Sequence, residues 1–113
     1  MAEEKGPYTI LLPWYATLFR YARFADALRE IAPVALRYGA TSYHVYQSVE
    51  DLYKFFHWTA VPSKLIWERF WYGEEFGRWR TAHSGWYQVP VTYTVAHEIA
   101  SGAIEHETVE LDV

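Results

Sequence analysis

The sequence predicts an α+β fold of the ferredoxin-like type, with the element order β-α-β-β-α-β and an antiparallel sheet. Two stretches, at about residues 20–38 and 62–83, repeat apolar residues every three or four positions, as helices do. Four other runs are rich in alternating, β-branched or aromatic residues, as strands are. Because crossovers between strands are right-handed, this order folds most simply into one sheet with the helices on one face. The other face stays apolar, which predicts that a second copy covers it and completes a dimeric α+β barrel.

The first half of the predicted unit is a strand at residues 8–16 and a helix from about Arg20 to Tyr38. Apolar residues stand on both faces of this strand, so both faces of the sheet are covered. Pro13 lacks an N–H group, which places it at an edge, a bend or the end of the strand. Pro33 should kink the helix or begin a separate last turn, and Gly39 suits a left-handed residue after it.

The middle of the chain predicts a hairpin of strands at residues 40–47 and 52–59, joined by a polar turn. Alternation places Ser42, His44 and Tyr46 on one face of the first strand. In the second strand, Tyr53, Phe55, His57 and Thr59 share a face. The register of the turn decides which of these faces is covered, and the sequence leaves that open.

Residues 54–93 are the centre of the functional prediction, because they hold five of the six Trp residues. A helix is expected from Pro62 to Trp71, a break at Gly73, a second helical segment ending by Gly85, and a fourth strand at residues 88–97. We expect this stretch to form one wall and the lid of an aromatic cavity. Tyr and Trp concentrate in ligand pockets and interfaces, and 19% of the chain is aromatic.

Length and charge limit the function classes. With 113 residues and a formal net charge of −4, we expect a flexible N-terminus at 1–7, one domain at 8–100 and an acidic tail at 101–113. Residues 81–113 contain no Lys or Arg, which argues against a nucleic-acid partner. No run is long and apolar enough to span a membrane, the first residues do not form a signal peptide, and there is no Cys. A cytoplasmic protein without a membrane partner is therefore expected.

The pair His57–Trp58 and the run WERFWYGEEFGRWR…GWYQVPV resemble the antibiotic biosynthesis monooxygenase (ABM)-like domains of the dimeric α+β barrel superfamily. The resemblance covers about residues 8–100. It implies a homodimer and an activity among those of known members, which include cofactor-independent monooxygenases of aromatic polyketides and heme-degrading oxygenases. In the heme-degrading members, an Asn on the first strand acts with a Trp and an axial His on the second helix. Trp71 and His83 are similar to that helix pair, but the first strand carries Trp14 and no Asn, which argues against heme.

Imidazole side chains are the candidate acid–base groups, since they titrate near neutrality. We expect His57 to be a general base, with His44 as the second candidate. The remaining candidates are predicted to line a slot for an aromatic small molecule: Trp14, Tyr46, Trp58, Trp67, Trp71, His83, Tyr93 and His97. Each also has a structural explanation as core, interface or helix-end residue. No metal site is predicted, because the His spacing resembles no helical metal pair.

These patterns predict a cofactor-independent monooxygenase that acts on an aromatic or polyketide-like small molecule in a cavity of a homodimeric barrel. Such an enzyme takes electrons from its substrate, since a deprotonated phenol or enol reacts with oxygen directly. A polyketide cyclase or isomerase on the same fold is one alternative. A non-catalytic binding or dimerisation module, whose aromatic residues only pack, is the other.

Overall fold

A computed structural model describes residues 5–104 and confirms the predicted α+β fold. Four antiparallel strands form one sheet in the order β2-β3-β1-β4, and the helices cover one of its faces. The elements are β1 (Lys5–Tyr15), α1 (Tyr21–Ile31), α2 (Val34–Arg37), β2 (Ser42–Gln47), β3 (Lys54–Ser63), α3 (Lys64–Trp71), α4 (Glu74–Ala82) and β4 (Thr94–Ala96).

The two prolines of the first half act as their chemistry requires. Pro33 separates α1 from the short α2, because it cannot donate the backbone bond that a continuous helix needs. Gly39 follows with φ of +113°, in the conformation that suits glycine. Pro13 pairs with Phe56 on one side and lies beyond the residues of β1 that pair with β4, so its missing N–H disrupts no ladder there. β1 begins at Lys5, three residues before the predicted start.

β3 begins two residues later and ends four residues later than predicted, and it runs directly into α3. Pro62, expected to open the helix, belongs to the strand at a point beyond the last pair with β2, Ser42 with Ala60. The helix begins after Ser63, whose hydroxyl accepts a hydrogen bond from the backbone N–H of Ile66 at 3.4 Å. This is the cap that a Ser at this position provides.

Gly73 separates α3 from α4, as predicted. A Cβ atom at this position would lie 2.6 Å from the carbonyl oxygen of Arg69, so only glycine fits this backbone. Glu74 and Glu75 occupy the first turn of α4, where the helix dipole favours acids. The Trp79 indole in turn donates to the carbonyl oxygen of Ala27 at 3.0 Å, which links α4 to α1.

The fourth strand is shorter than the predicted run of residues 88–97. Only Thr94–Ala96 pair with β1, opposite Thr9–Leu11. Pro90 cannot donate to a ladder, and Tyr93 turns to pack against Trp67 and Trp71. Residues 97–104 form no helix or strand and are exposed, and the short strand suggested for 108–113 lies outside the described residues.

Alternation along the two central strands separates a covered face from an open one. The covered face meets the helices and forms an aromatic-rich core: Ile10, Leu12, Trp14, Phe24, Leu28, Phe55, Val61, Trp67, Phe70, Phe76 and Trp79. The open face carries the opposite set of side chains. Tyr46, Phe56 and Trp58 remain 48%, 38% and 41% exposed there in the single chain.

Candidate functional site

All the predicted site residues except His83 fall into two groups on opposite faces of the sheet. The interior site lies between the sheet and the helices and comprises His57, Thr59, Trp14, Trp67, Trp71 and Tyr93. The open-face groove is formed by His44, Tyr46, Trp58 and His97, with neighbouring backbone. His57 and Trp58 are adjacent in sequence and point to different faces. The single cavity expected for all candidates is therefore two separate regions in one chain.

His57 is fully buried on the covered face of β3 and is held by Trp14 from β1. The indole Nε1 of Trp14 donates to Nδ1 of His57 over 3.3 Å. Because an indole N–H can only donate, Nδ1 is the acceptor, and a neutral ring then carries its proton on Nε2. Burial lowers the pKa of His57 from 6.5 to about 4, so the ring is neutral at pH 7.

This geometry favours a hydrogen-bond donor over the general base expected at His57. The lone pair of Nδ1 is occupied by Trp14, and Nε2 carries the proton. Its low pKa would also make the ring a weak base at neutral pH. Within residues 5–104, Nε2 is buried and has no hydrogen-bond partner.

Thr59 is a second polar residue of the interior site and was not among the predicted site residues. It lies two positions beyond His57 on the same face and is 1% exposed. Its Oγ1 also has no hydrogen-bond partner among the described residues. Two further buried atoms without a partner in this part of the chain, Trp67 Nε1 and Arg80 Nη1, lie at the aromatic wall of the same region. Buried polar atoms are almost always paired, so this group of exceptions calls for an explanation, above all the adjacent pair on β3. The predicted alternation already placed both side chains on one face, but it could not show that this face is buried.

Aromatic rings form the helix-side wall of the interior site. Tyr93 meets the rings of Trp67 and Trp71 edge-on, each at 5.3 Å between centroids. Phe76 joins this group to Trp14, with centroid distances of 5.0 Å to Trp71 and 6.5 Å to Trp14. Burial raises the pKa of the Tyr93 hydroxyl, so it stays protonated at neutral pH. The wall is closed in this conformation, because Trp14 and Trp67 are almost completely buried.

Arg80 lies at the rim of this wall. Its guanidinium stacks on Trp71 at 4.4 Å and on Phe76 at 4.8 Å from the ring centroids. Burial lowers the pKa of this guanidinium, although it remains charged near neutrality. These two rings hold the guanidinium at the edge of the interior site.

The open-face groove has a floor of aromatic rings. His44 stacks on Tyr46 at 6.1 Å, and Tyr46 meets Trp58 edge-on at 5.5 Å. His44 and Trp58, together with His97 and Glu98, border a space of about 410 Å³. A neighbouring hollow of about 510 Å³ shares His97 and Glu98 with it. The groove is open to solvent in the single chain.

His83 lies apart from both groups. Its Nδ1 is 2.7 Å from the carbonyl oxygen of Trp79, and its ring contacts those of Trp79 and Trp86. Trp71 instead belongs to the wall with Trp67 and Tyr93. The two residues that resemble a heme-binding helix pair share no ring contact in the described chain, and Trp14 on β1 is committed to His57. These residues therefore do not fit a heme.

Within residues 5–104, no group of three or more His, Asp or Glu side chains is close enough to hold a metal ion. The helices found there are all too short or too polar to cross a membrane.

By sequence, the chain matches no protein-family model and no curated protein. By structure, it is similar to a protein from Nitrosomonas europaea assigned as an antibiotic biosynthesis monooxygenase. The TM-score is 0.74 at 16% identity, covering 84% of this chain and 93% of the other. A similarly assigned protein from Bordetella bronchiseptica gives a TM-score of 0.74 at 14% identity, over 85% of this chain and 100% of the other.

A third similar structure is a variant of SnoaB, a cofactor-independent oxygenase from Streptomyces nogalater. Its TM-score is 0.71 at 9% identity, over 85% of this chain and 97% of the other. At such identities the similarity defines a fold and leaves the reaction open. The chain therefore has the fold of the antibiotic biosynthesis monooxygenase-like domains, as the resemblance of its residues predicted.

Proposed function

We propose that this protein is a homodimeric, cofactor-independent oxygenase that acts on an electron-rich aromatic or polyketide-like small molecule. The observation that carries the proposal is His57, a neutral imidazole that is buried in an aromatic interior and whose Nε2–H has no partner among residues 5–104. A group of this kind is suited to stabilise an oxyanion in a water-free site. The similarity to a cofactor-independent oxygenase supports the fold on which this chemistry would occur.

The reaction needs no electron source other than the substrate. A methylene group next to a phenol or enol loses a proton to solvent as the substrate binds, and the negative charge is spread onto the ring oxygen. The carbanion gives its electrons to O₂ and forms a C–O bond, and a proton completes the hydroperoxide. Loss of water, with the second C–H proton, leaves a carbonyl group. His57 would act by donating Nε2–H to the charged oxygen, which lowers the barrier to the first step.

Substrate entry requires that the closed wall opens. The wall is carried by α3 and α4, and these helices are separated at Gly73. In the proposed enzyme α4 is the lid, which moves about this break and returns to exclude water. Arg80 lies on the lid side of the wall, where it would meet an anionic group on the substrate.

The second copy covers the open face of the sheet. The four strands contain 11, 6, 10 and 3 residues, which at ~3.3 Å per residue and ~4.8 Å between strands gives a face of roughly 500 Å². A stable interface buries about 800 Å² per partner, so this face with its rim is of the right size. Exposed Tyr46, Phe56 and Trp58 supply the apolar centre that such an interface needs.

Oxygen consumption with a panel of polycyclic phenols and their keto tautomers tests the proposal. We expect uptake of one O₂ per substrate, and a ~100-fold to 1,000-fold lower rate for His57→Leu, the usual effect of removing one oxyanion donor. His44→Leu, on the other face, is the matched control and should keep the rate. No uptake with any of these substrates would refute the oxygenase, and turnover without oxygen would favour a cyclase or isomerase.

A non-catalytic binding module is the second candidate. The specific observation in its favour is the closed interior, in which Trp14 and Trp67 are 2% and 1% exposed. In this case a ligand would bind only in the open-face groove. Replacing Trp58 by Ala would then abolish binding of a polycyclic phenol, whereas His57→Leu would leave it unchanged.

A further inference from the structure

The hydrogen bond from Trp14 determines which nitrogen of the His57 ring carries the proton. Trp14 and His57 are 43 residues apart and meet because β1 and β3 pair with Leu12 opposite His57. The indole N–H blocks Nδ1, which leaves the Nε2–H tautomer for the neutral ring. Without this hydrogen bond both tautomers would be available.

The hydroxyl of Thr59 is a second hydrogen-bond donor, next to the Nε2–H of His57. Successive residues on one face of a strand are about 6.6 Å apart at Cα, so both side chains can reach an atom that lies between them. The hydroxyl of Thr59 is buried and unpaired among residues 5–104, as is Nε2 of His57. The strand pairs around them bring in Leu12, Ile10 and Val45, whose side chains have no polar atom. They also bring in Tyr43, which lies opposite Thr59 and makes no hydrogen bond to its hydroxyl.

We propose that His57 Nε2–H and the Thr59 hydroxyl form a paired donor site for one anionic oxygen, the ionised phenol or enol oxygen of the substrate. Trp14 is the positioning residue of this pair, because it holds the proton on Nε2. The inference rests on the proposed function, of which it names the substrate's reactive group. Two neutral donors in a dry interior suit a single oxygen that carries a negative charge. The surrounding aromatic wall suits the ring to which that oxygen is attached.

The first experiment uses 4-nitrophenol, whose neutral and ionised forms absorb at different wavelengths. Binding to the paired donors should favour the phenolate, whose proton is released to solvent, so the bound ligand should ionise at lower pH than the free one. Thr59→Val keeps the shape and removes the hydroxyl, and we expect it to weaken phenolate binding roughly tenfold to a hundredfold. Thr59→Ser restores the hydroxyl and should restore binding. 4-Nitroanisole cannot ionise, and its affinity should change little between these variants.

The second experiment reads the tautomer by nitrogen NMR of the His57 ring. In the wild type we expect a protonated Nε2 and an unprotonated Nδ1. Trp14→Phe keeps an aromatic ring and removes the N–H, so it should give a mixture of tautomers and a smaller preference for phenolate. The control is Trp79→Phe, which also removes a buried indole N–H. This N–H donates to the carbonyl oxygen of Ala27 and not to His57, so the tautomer should stay unchanged.

Three results would overturn the inference. The first is an unchanged phenolate preference in Thr59→Val, and the second is a wild-type His57 that is protonated on Nδ1. The third is a wild-type protein that does not bind 4-nitrophenol, which would mean that the two donors hold only water. The proposed function fails separately. A protein that prefers phenolate but consumes no oxygen would keep the donor pair and lose the oxygenase.

Discussion

Lowering the pH should destabilise this protein through His57 in a window that the structure defines. The folded protein keeps this ring neutral down to about pH 4, because burial lowers its pKa to that value. In the unfolded chain the ring takes up a proton below its ordinary pKa of 6.5. The unfolded state therefore binds more protons between these values, and stability falls as the pH drops from 6.5 to 4.

The size of the effect follows from the two pKa values. Each pH unit in this window contributes about 1.4 kcal/mol, so the free energy of unfolding should lose about 3 kcal/mol between pH 7 and pH 4. This is a large share of the 5–15 kcal/mol that is typical of a small domain. Above pH 6.5 the contribution is complete and does not change further.

Urea unfolding of the wild type and of His57→Leu at pH 7, 6, 5 and 4 measures this effect. All other ionisable groups are common to both proteins, so the difference between the two curves isolates His57. We expect the wild type to lose about 3 kcal/mol more than the variant over the range. His44→Leu keeps the buried ring of His57 and should therefore show the same additional loss as the wild type. Parallel curves for wild type and His57→Leu would refute a buried, neutral His57.

Four further outcomes are expected. Gly73→Ala should lower the free energy of unfolding in urea by ~1–3 kcal/mol, because its Cβ would lie 2.6 Å from the carbonyl oxygen of Arg69. Gly77→Ala, within α4, is the control: its Cβ would meet nothing within 4 Å, and Ala favours a helix, so the free energy of unfolding should rise by up to ~1 kcal/mol. Ser63→Ala should cost about 1 kcal/mol in the same assay by removing the cap of α3, and an unchanged value would show that the 3.4 Å hydrogen bond is not made in solution. In light scattering, Trp58→Glu should convert a dimer of two 13.3-kDa chains into a monomer. Leu65→Glu, at an exposed position of α3, is the control and should remain a dimer. A monomeric wild type would contradict the proposal that a second copy covers the open face. Thr59→Val should raise the free energy of unfolding by about 1 kcal/mol or more, and a loss would mean that its hydroxyl has a partner in solution.

Local patterns were sufficient for much of the fold. Pro33 and Gly73 interrupt helices through their local backbone geometry, which does not depend on tertiary contacts. Both breaks are therefore predicted by the sequence. Alternation likewise placed His57 and Thr59 on one face of β3. Which face is covered depends on the register between strands, and no local pattern contains it. The Trp14–His57 hydrogen bond has the same origin, because it joins residues 43 positions apart. The length of β4 was overestimated, since Tyr93 packs against Trp67 and Trp71 instead of continuing the ladder.

Stability alone does not explain the polar atoms of the interior site. A Leu at position 57 and a Val at position 59 would fill the same face of β3 without leaving a donor unpaired, and an unsatisfied buried group costs about 1–3 kcal/mol. His57 adds a pH-dependent loss that an apolar residue would not have. Both residues stand where the core is otherwise apolar and aromatic, and the hydrogen bond from Trp14 satisfies one nitrogen while leaving the other free. A site that binds a charged oxygen accounts for all three observations, because its donors must stay unpaired until the ligand arrives.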